Sequence, residues 1–487
     1  MNRRSVISNL IWKYAEKCGA QLVSVVVAIV LARILNPKEY GVVAIVTVFI
    51  NILGVFIDSG LASALIQKKD SDDLDFSTVF FTNIIFCVTL YLILFFAAPF
   101  IADFYSDETL VPMIRVLGIT FFISAVKNVQ GAYVSKHMLF KRFFFSTLGG
   151  TIGAAIIGIL MALAGLGAWA LIAQSLFNNA VDTIILWATV KWRPKRMFSF
   201  QRLKHLFGFG WKILASTLLD TVYNNLRSLL IGKVYSAEDL AAYNKGDSWP
   251  NLIVGNVNAS INSILFPSMS KLQDDIVMLK AMTRRAIKTS TYIMSPLLMG
   301  LAFVGEPLIR FLLTDKWLVS VPFMVVFCFT YMFYPIHTAN LNVIKALGRS
   351  DIFLKLEIIK KIIGLIALAV SVPISVMAMA YSLLFTSLIS MVINAWPNRK
   401  LLKYGYLEQL KDILPEILLS IAMGCCIYTI QWIGLPDIVT LCIQIPTGIA
   451  FYIAGSKLFK LESFEYLWNM VKPALKKVRK KKKKNEE

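Results

Sequence analysis

Eight ionisable residues of this 487-residue chain fall inside stretches otherwise apolar enough to cross a bilayer: Lys17, Asp58, Lys127, Asp182, Asp220, Arg227, Lys245 and Asp247. A charge at the centre of a membrane costs about 3 kcal/mol or more, so such residues normally face a bundle interior or a water-filled path. Six of the eight lie in the first, second, seventh and eighth stretches. Those are the opening helix pairs of two roughly equal halves, which is how a transporter keeps a polar cavity between two lobes.

Helical spacing sorts the polar residues into stripes. Lys17, Gln21, Ser24 and Ala28 share a face of the first stretch, and Thr47, Asn51 and Asp58 a face of the second. The seventh carries Asp220, Asn224 and Arg227; the eighth carries Asp247, Asn251, Gly255, Asn258 and Asn262. Lys17 and Asp58 sit at similar depth on antiparallel neighbours, which predicts that they pair or share water. Arg227 and Asp247 mirror them toward the opposite surface. Asp220 lies nearest the midplane, about 10 Å along the axis from Arg227. Asp58, Asp220 and Asp247 are thus candidates for ion coupling or charge pairing. Lys127 and Asp182 read as partners within one lobe, Arg33 and Lys245 as snorkelling to the outer interface, and Glu357 as the partner of Lys360 or Lys361.

A cavity with Lys17, Arg227 and Lys245 favours an anion, and the guanidinium fork suits phosphate. Asn224, Asn251 and Asn258 offer donors and acceptors for sugar hydroxyls. A lipid diphosphate carrying an oligosaccharide satisfies both requirements. The same stripes also fit helix-to-helix glue or an empty hydrated lumen.

The elements that must position these residues are membrane helices. Hydrophobic residues make up 57% of the chain and charged residues 16%, where soluble domains carry about 25% charge. About fourteen stretches have the length of roughly 20 apolar residues that a span requires. The reading is an all-α polytopic membrane protein. Of the 50 Lys and Arg residues, 37 fall in loops on the N-terminal side or in the C-terminal tail, and only Arg33, Lys38, Lys233, Arg310 and Lys316 in the opposite loops. That asymmetry predicts both termini in the cytoplasm. The net charge of +21 is therefore mostly a topology signal and not a nucleic-acid footprint. The lysine-rich tail reads as a solvated stop-transfer segment or as a binder of anionic lipids. The first stretch, following Arg3 and Arg4, reads as an uncleaved signal anchor.

Catalysis finds little support. No loop is long enough for a soluble catalytic domain, and no nucleotide-binding motif appears. The six cysteines lie in apolar stretches and the three histidines are far apart in sequence. No metal, disulfide framework or cofactor is expected.

A parallel internal repeat organises the chain. Trp12-Lys13 recurs as Trp211-Lys212, LNPKEYGVVAI faces VYSAEDLAAYN, and ALIQKKDSDD is echoed by PSMSKLQDD. The expected division is an N-lobe over 1–190, a basic inter-lobe loop over 191–208, a C-lobe over 209–397, two further helices over 398–457 and a polybasic tail over 458–487. Parallel repeats predict lobes related by an axis along the membrane normal.

LARILNPKEYG, DSGLASALIQKKD, AAYNKGDSWPNLIVGNVNASINSILFPSMSKLQDD, ALGRSDIFLKLEIIKKIIGL and INAWPNRKLLKYGYLEQLKDILP together resemble bacterial polysaccharide transporters. These belong to the multidrug/oligosaccharidyl-lipid/polysaccharide (MOP) flippase superfamily, in the branch linked to O-antigen, capsule and teichuronic acid export. The resemblance covers nearly the whole chain. It implies two six-helix lobes plus two C-terminal helices, and alternating access across the inner membrane. It also implies an undecaprenyl-diphosphate-linked oligosaccharide as cargo, with polysaccharide assembly enzymes as possible partners. Cationic cavity residues would engage the diphosphate, which carries over to Lys17 and Arg227 and more weakly to Lys245. An ion-coupled drug/cation antiporter of the same superfamily is the nearest rival, and a polysaccharide polymerase or ligase the enzyme alternative.

Overall fold

The computed structural model describes residues 3–58, 60–470 and 472, with the side chains of 3–11, 13–16, 58 and 209 outside the described set. Among these residues every regular element is helical. The chain forms two compact units, Met1–Ala241 and Ala242–Glu487. The first holds α1 (Arg3–Ile34), α2 (Pro37–Asp58), α3 (Leu61–Gln67), α4 (Asp73–Tyr105), α5 (Leu110–Leu117), α6 (Thr120–Lys136), α7 (Phe140–Leu163), α8 (Ala168–Thr189) and α9 (Phe200–Val234). Helix α10 (Ala237–Ser270) begins at the boundary, followed by α11 (Ile276–Phe303), α12 (Gly305–Leu313), a 3-10 turn over Asp315–Ser320, α13 (Val321–Tyr331) and α14 (Tyr334–Ala346). The second unit ends with α15 (Ser350–Ser371), α16 (Val376–Leu401), α17 (Tyr406–Tyr428) and α18 (Asp437–Leu458).

Nine described helical stretches are long and apolar enough to cross a membrane, or ten with the pair α11 and α12, bent by 67°, counted as one. The chain is a multi-pass membrane protein. The sequence predicts about fourteen crossings, and the difference has a chemical origin. Helices α8, α9, α10 and α15 have 22 to 35 residues, but their Asn, Gln and charged side chains dilute the apolar run.

The predicted repeat has local counterparts at helix starts. The Asn36 amide donates to Glu39 Oε2 at 2.6 Å at the head of α2, and the Ser236 amide donates to Asp239 Oδ2 at 3.3 Å at the head of α10. Asp72 caps α4 by accepting from the Asp75 amide, and Asp275 caps α11 by accepting from the Met278 amide. Such caps satisfy amides that the first helical turn leaves without partners. Each half also breaks one of its helices, at Gly118-Ile119 between α5 and α6 and at Met332-Phe333 between α13 and α14.

The boundary between the compact units falls at 241/242, inside the first turns of α10. Helix α9 packs on α2, α3 and α4, and glycines let it approach closely. A Cβ on Gly210 would lie 2.9 Å from the Gly60 carbonyl carbon, and one on Gly232 would lie 3.0 Å from Ile45. At the other end of α2, a Cβ on Gly41 would run into the Ala237 carbonyl.

Prolines inside helices leave carbonyls unpaired, because a proline has no N–H to donate four residues back. Two are satisfied by neighbouring helices. Pro99 frees the Phe95 carbonyl, which accepts from Arg115 Nε at 3.4 Å while the guanidinium covers the Phe95 ring. Pro296 frees the Tyr292 carbonyl, which accepts from the Tyr452 hydroxyl at 3.1 Å.

Candidate functional site

In the first unit, one expected charge pair forms. Lys127 Nζ on α6 lies 2.5 Å from Asp182 Oδ2 on α8, the partnership expected within one lobe. Small residues make room for it: a Cβ on Gly150 of α7 would stand 3.0 Å from the Asp182 Cβ. Lys17 is exposed on α1. The side chain of Asp58 lies outside the described set, and with it the Lys17–Asp58 pairing. On α9, Asp220 and Asn224 are exposed, whereas Arg227 one turn further is buried at 8% exposure.

In the second unit, the polar stripe of α10 is engaged from one side by α13 and α14. The Tyr331 hydroxyl donates to Asp247 Oδ1 at 2.5 Å. Thr338 Oγ1 donates to Asn258 Oδ1 at 3.3 Å, and Asn342 Nδ2 donates to Asn262 Oδ1 at 2.7 Å. Both asparagines thus have their acceptor oxygens held by α14, while their amide groups remain able to donate. Asn251, a turn after Asp247, is exposed. From Asn251 to Asn262 this face extends about 16 Å along the helix. Lys245 Nζ sits 4.8 Å from the centre of the buried Trp317 ring, a cation–π contact. Lys360 pairs with Glu357 at 2.6 Å, as the sequence suggests.

A family model described as polysaccharide biosynthesis protein matches residues 30–322. The chain belongs to that family. It is 28% identical over 389 residues to the teichuronic acid biosynthesis protein TuaB of Bacillus subtilis, covering 78% of each chain. It is 22% identical over 347 residues to the lipopolysaccharide biosynthesis protein WzxC of Escherichia coli, covering 70% of each. Among solved structures, the lipid II flippase MurJ in an inward closed conformation superposes with a TM-score of 0.74 at 16% identity, over 92% of this chain and 98% of that one. An inward-facing multidrug resistance MATE transporter gives 0.63 at 14% identity, over 79% and 94%. The chain therefore has the fold of these two transporters.

Three partners in this family member escape a reading of single stretches: Tyr331, Thr338 and Asn342. The signal for the last two was present as an i, i+4 polar pair on α14, matching the i, i+4 pair Asn258 and Asn262 on α10. The opposite face of α14 carries Asn340, which donates to Gln409 Oε1 at 2.7 Å and accepts from Asn398 Nδ2 at 2.6 Å. Those side chains are fully buried and lock α14 to α16 and α17.

A second unforeseen cluster lies at the head of α4. The loop 191–199 is strapped to it rather than hanging free. Lys195 pairs with Asp73 at 2.5 Å, the Trp192 indole donates to Asp73 at 3.1 Å, and the Ser199 amide donates to Thr78 Oγ1 at 3.1 Å. Beneath them Asp75, fully buried, bridges Lys68 at 2.5 Å and Arg202 at 3.3 Å. Lys136 donates to the Lys68 carbonyl at 2.6 Å and to the Ser71 hydroxyl.

Proposed function

We propose that this protein is a flippase that moves an undecaprenyl-diphosphate-linked oligosaccharide, an O-antigen, capsule or teichuronic acid type repeat unit, across the bacterial inner membrane by alternating access. One observation carries the reading: a chain of the polysaccharide biosynthesis family is folded over 92% of its length like a lipid II flippase. Transport rather than catalysis fits a chain made of helices joined by short loops. The cationic contacts with the diphosphate fall to Lys17 and Arg227. Lys245, drawn over Trp317, is the weaker third. Asn224, Asn251 and Asn258 face the sugars, with the donor-presenting amides of α10 suited to hydroxyl and ring oxygens. Asp220, Asp247 and Asp58 are the residues through which an ion gradient would act. The two repeats serve as lobes, 1–190 and 209–397, joined by the segment 191–208, whose residues 191–199 are strapped to α4, and followed by helices over 398–457. The polybasic tail, 458–487, is cytoplasmic with the N-terminus and meets anionic lipid headgroups; residues 473–487 lie outside the described set. Enzymes of polysaccharide assembly would supply the cargo.

The test is reconstitution in liposomes with a fluorescent undecaprenyl-diphosphate oligosaccharide, its transbilayer movement followed by quenching from outside. Protein-dependent movement is expected, and Arg227→Ala slows it at least about tenfold, the loss of roughly one charge-assisted hydrogen bond. No lipid movement alongside proton- or sodium-driven efflux of an organic cation would establish the antiporter instead. An Arg227→Ala variant that is folded and fully active would remove that residue from the diphosphate site.

A further inference from the structure

We propose that His337 is the positioning residue for the contacts that α13 and α14 make with α10. As a neutral imidazole carrying its hydrogen on Nε2, it fixes the break between α13 and α14, and so sets Tyr331 against Asp247 and Thr338 against Asn258. Its effect on transport rests on the cargo reading; its place in the fold does not.

The break begins in the sequence. Pro335, in the first turn of α14, has no N–H to give the Tyr331 carbonyl, and the last carbonyls of a helix lack partners of their own. Contacts to α10 arise on both sides of the break, from Tyr331 before it and from Thr338 and Asn342 after it. The spacing of those contacts along α10 therefore depends on the angle taken at Met332-Phe333.

Helix α16 holds that angle. Ser387, Asn394 and Asn398 recur at i, i+7 and i+11 and share one of its faces. The Ser387 hydroxyl donates to the Thr330 carbonyl, at the end of α13, at 3.3 Å. On α14 the His337 ring meets the same serine and the asparagine beyond it. Its Nε2 lies 3.2 Å from Ser387 Oγ, and its Nδ1 lies 3.1 Å from Asn394 Nδ2. Ring contacts make a second link, since Tyr334 stands edge-on to His337 at 5.9 Å and to Tyr331 at 5.0 Å between centroids. Thr330 and His337 directly precede Tyr331 and Thr338, the residues that touch α10.

The hydrogen count fixes the state of the ring. An amide nitrogen only donates, so Nδ1 accepts and the ring hydrogen sits on Nε2, directed at Ser387 Oγ. Ser387 then keeps its single hydrogen for Thr330. With the hydrogen on Nδ1 instead, Asn394 would turn its oxygen to the ring, and Ser387 would give its hydrogen to Nε2 and leave the Thr330 carbonyl bare. An imidazolium could use the same turn, because Asn394 Oδ1 is buried without a partner among the described residues. No countercharge meets it, however. Helices α11, α13, α14 and α16 carry no carboxylate, and Glu357 on α15 is paired with Lys360 at 2.6 Å. Asp247 on α10 lies beyond the Tyr334 and Tyr331 rings. A charge left alone among membrane helices is costly, so the neutral ring is the one that fits.

Nitrogen NMR of the full-length protein labelled at histidine, in lipid at neutral pH, reads the ring directly. The chain has three histidines, and His337→Gln removes the signal to be assigned. A neutral ring with its hydrogen on Nε2 is expected; hydrogen on Nδ1, or an imidazolium, overturns the proposal. In liposomes His337→Phe keeps a ring beside Tyr334 but loses both hydrogen bonds, and should slow lipid movement about fivefold or more, the worth of one hydrogen bond. His337→Gln can still donate to Ser387 and should stay within about twofold of wild type. A Gln variant as slow as the Phe variant overturns positioning through Ser387. Thermal unfolding in detergent of His337→Phe, Tyr331→Phe and the double variant should be non-additive, as for residues in one network; additive effects overturn the link to Tyr331. Ser387→Ala replaces His337→Phe throughout if that variant does not fold. A wild type that moves no lipid would sink the cargo reading, and the NMR and the unfolding cycle would still confirm or overturn the placement of His337.

Discussion

Replacing Asp75 by alanine should loosen the strap over the head of α4. Its carboxylate is fully buried between Lys68 and Arg202 and also accepts from the Asp72 amide at 3.2 Å. Removing one partner of a buried ion pair costs roughly 3–5 kcal/mol when the other stays buried. Here the Lys68 and Arg202 side chains are 21% and 39% exposed and regain water, which lowers the loss to about 2–3 kcal/mol. The segment 191–202, whose far end Arg202 anchors on Asp75, would then open more often by a factor of roughly 30 to 150, at 1.4 kcal/mol per tenfold. Trypsin cleavage after Lys195 and Arg196 in the detergent-solubilised protein reads that population directly, because native-state proteolysis follows the open fraction when reclosing is fast. A cleavage rate for Asp75→Ala within about twofold of wild type would refute the strap.

The same strap should respond to acid in one direction. The Asp75 amide, then the Arg202 guanidinium, hold the Asp72 carboxyl below its ordinary range. A depressed carboxylate stabilises above its unfolded pKa and loses that contribution as pH falls through the folded value. Cleavage of the loop by an acid-active protease should stay flat down to about pH 4 and climb below it; a climb beginning near neutrality would contradict the assignment. Lys127→Met strands the Asp182 carboxylate and should cost about 3 kcal/mol, most of it recovered in Lys127→Met/Asp182→Leu. Thermal unfolding of the two variants decides, and a double variant no more stable than the single one refutes the pairing. Thr338→Val and Asn342→Leu remove one hydrogen bond each, about 1 kcal/mol. If the α10 amides meet cargo, both should slow lipid movement in liposomes several-fold while the protein remains folded, and full activity would make the ladder purely structural.

The all-helical membrane fold was legible because the length of an apolar run is a property of a single stretch. The paired starts of α2 and α10 were legible for a similar reason, since Asn36 with Glu39 and Ser236 with Asp239 act over three residues. Lys127 and Asp182 could be matched because opposite charges in hydrocarbon have few alternatives. The partners of α10 could not, because many helices carry a hydroxyl able to do what that of Tyr331 does for Asp247. Asp75 reads in sequence as one more charge in a loop; only the packing of α4 under the strap makes it a buried hub.

The repeated helix starts give the chain an internal control. Asn36 with Glu39 and Ser236 with Asp239 do the same local work two hundred residues apart, as do Asp72 and Asp275. A substitution at one member of such a set has its comparison already built into the same molecule, in the same membrane and at the same expression level. Where twin changes weaken the protein equally, the position does the same work in both repeats. Where they differ, the difference measures how unequally the two repeats are used.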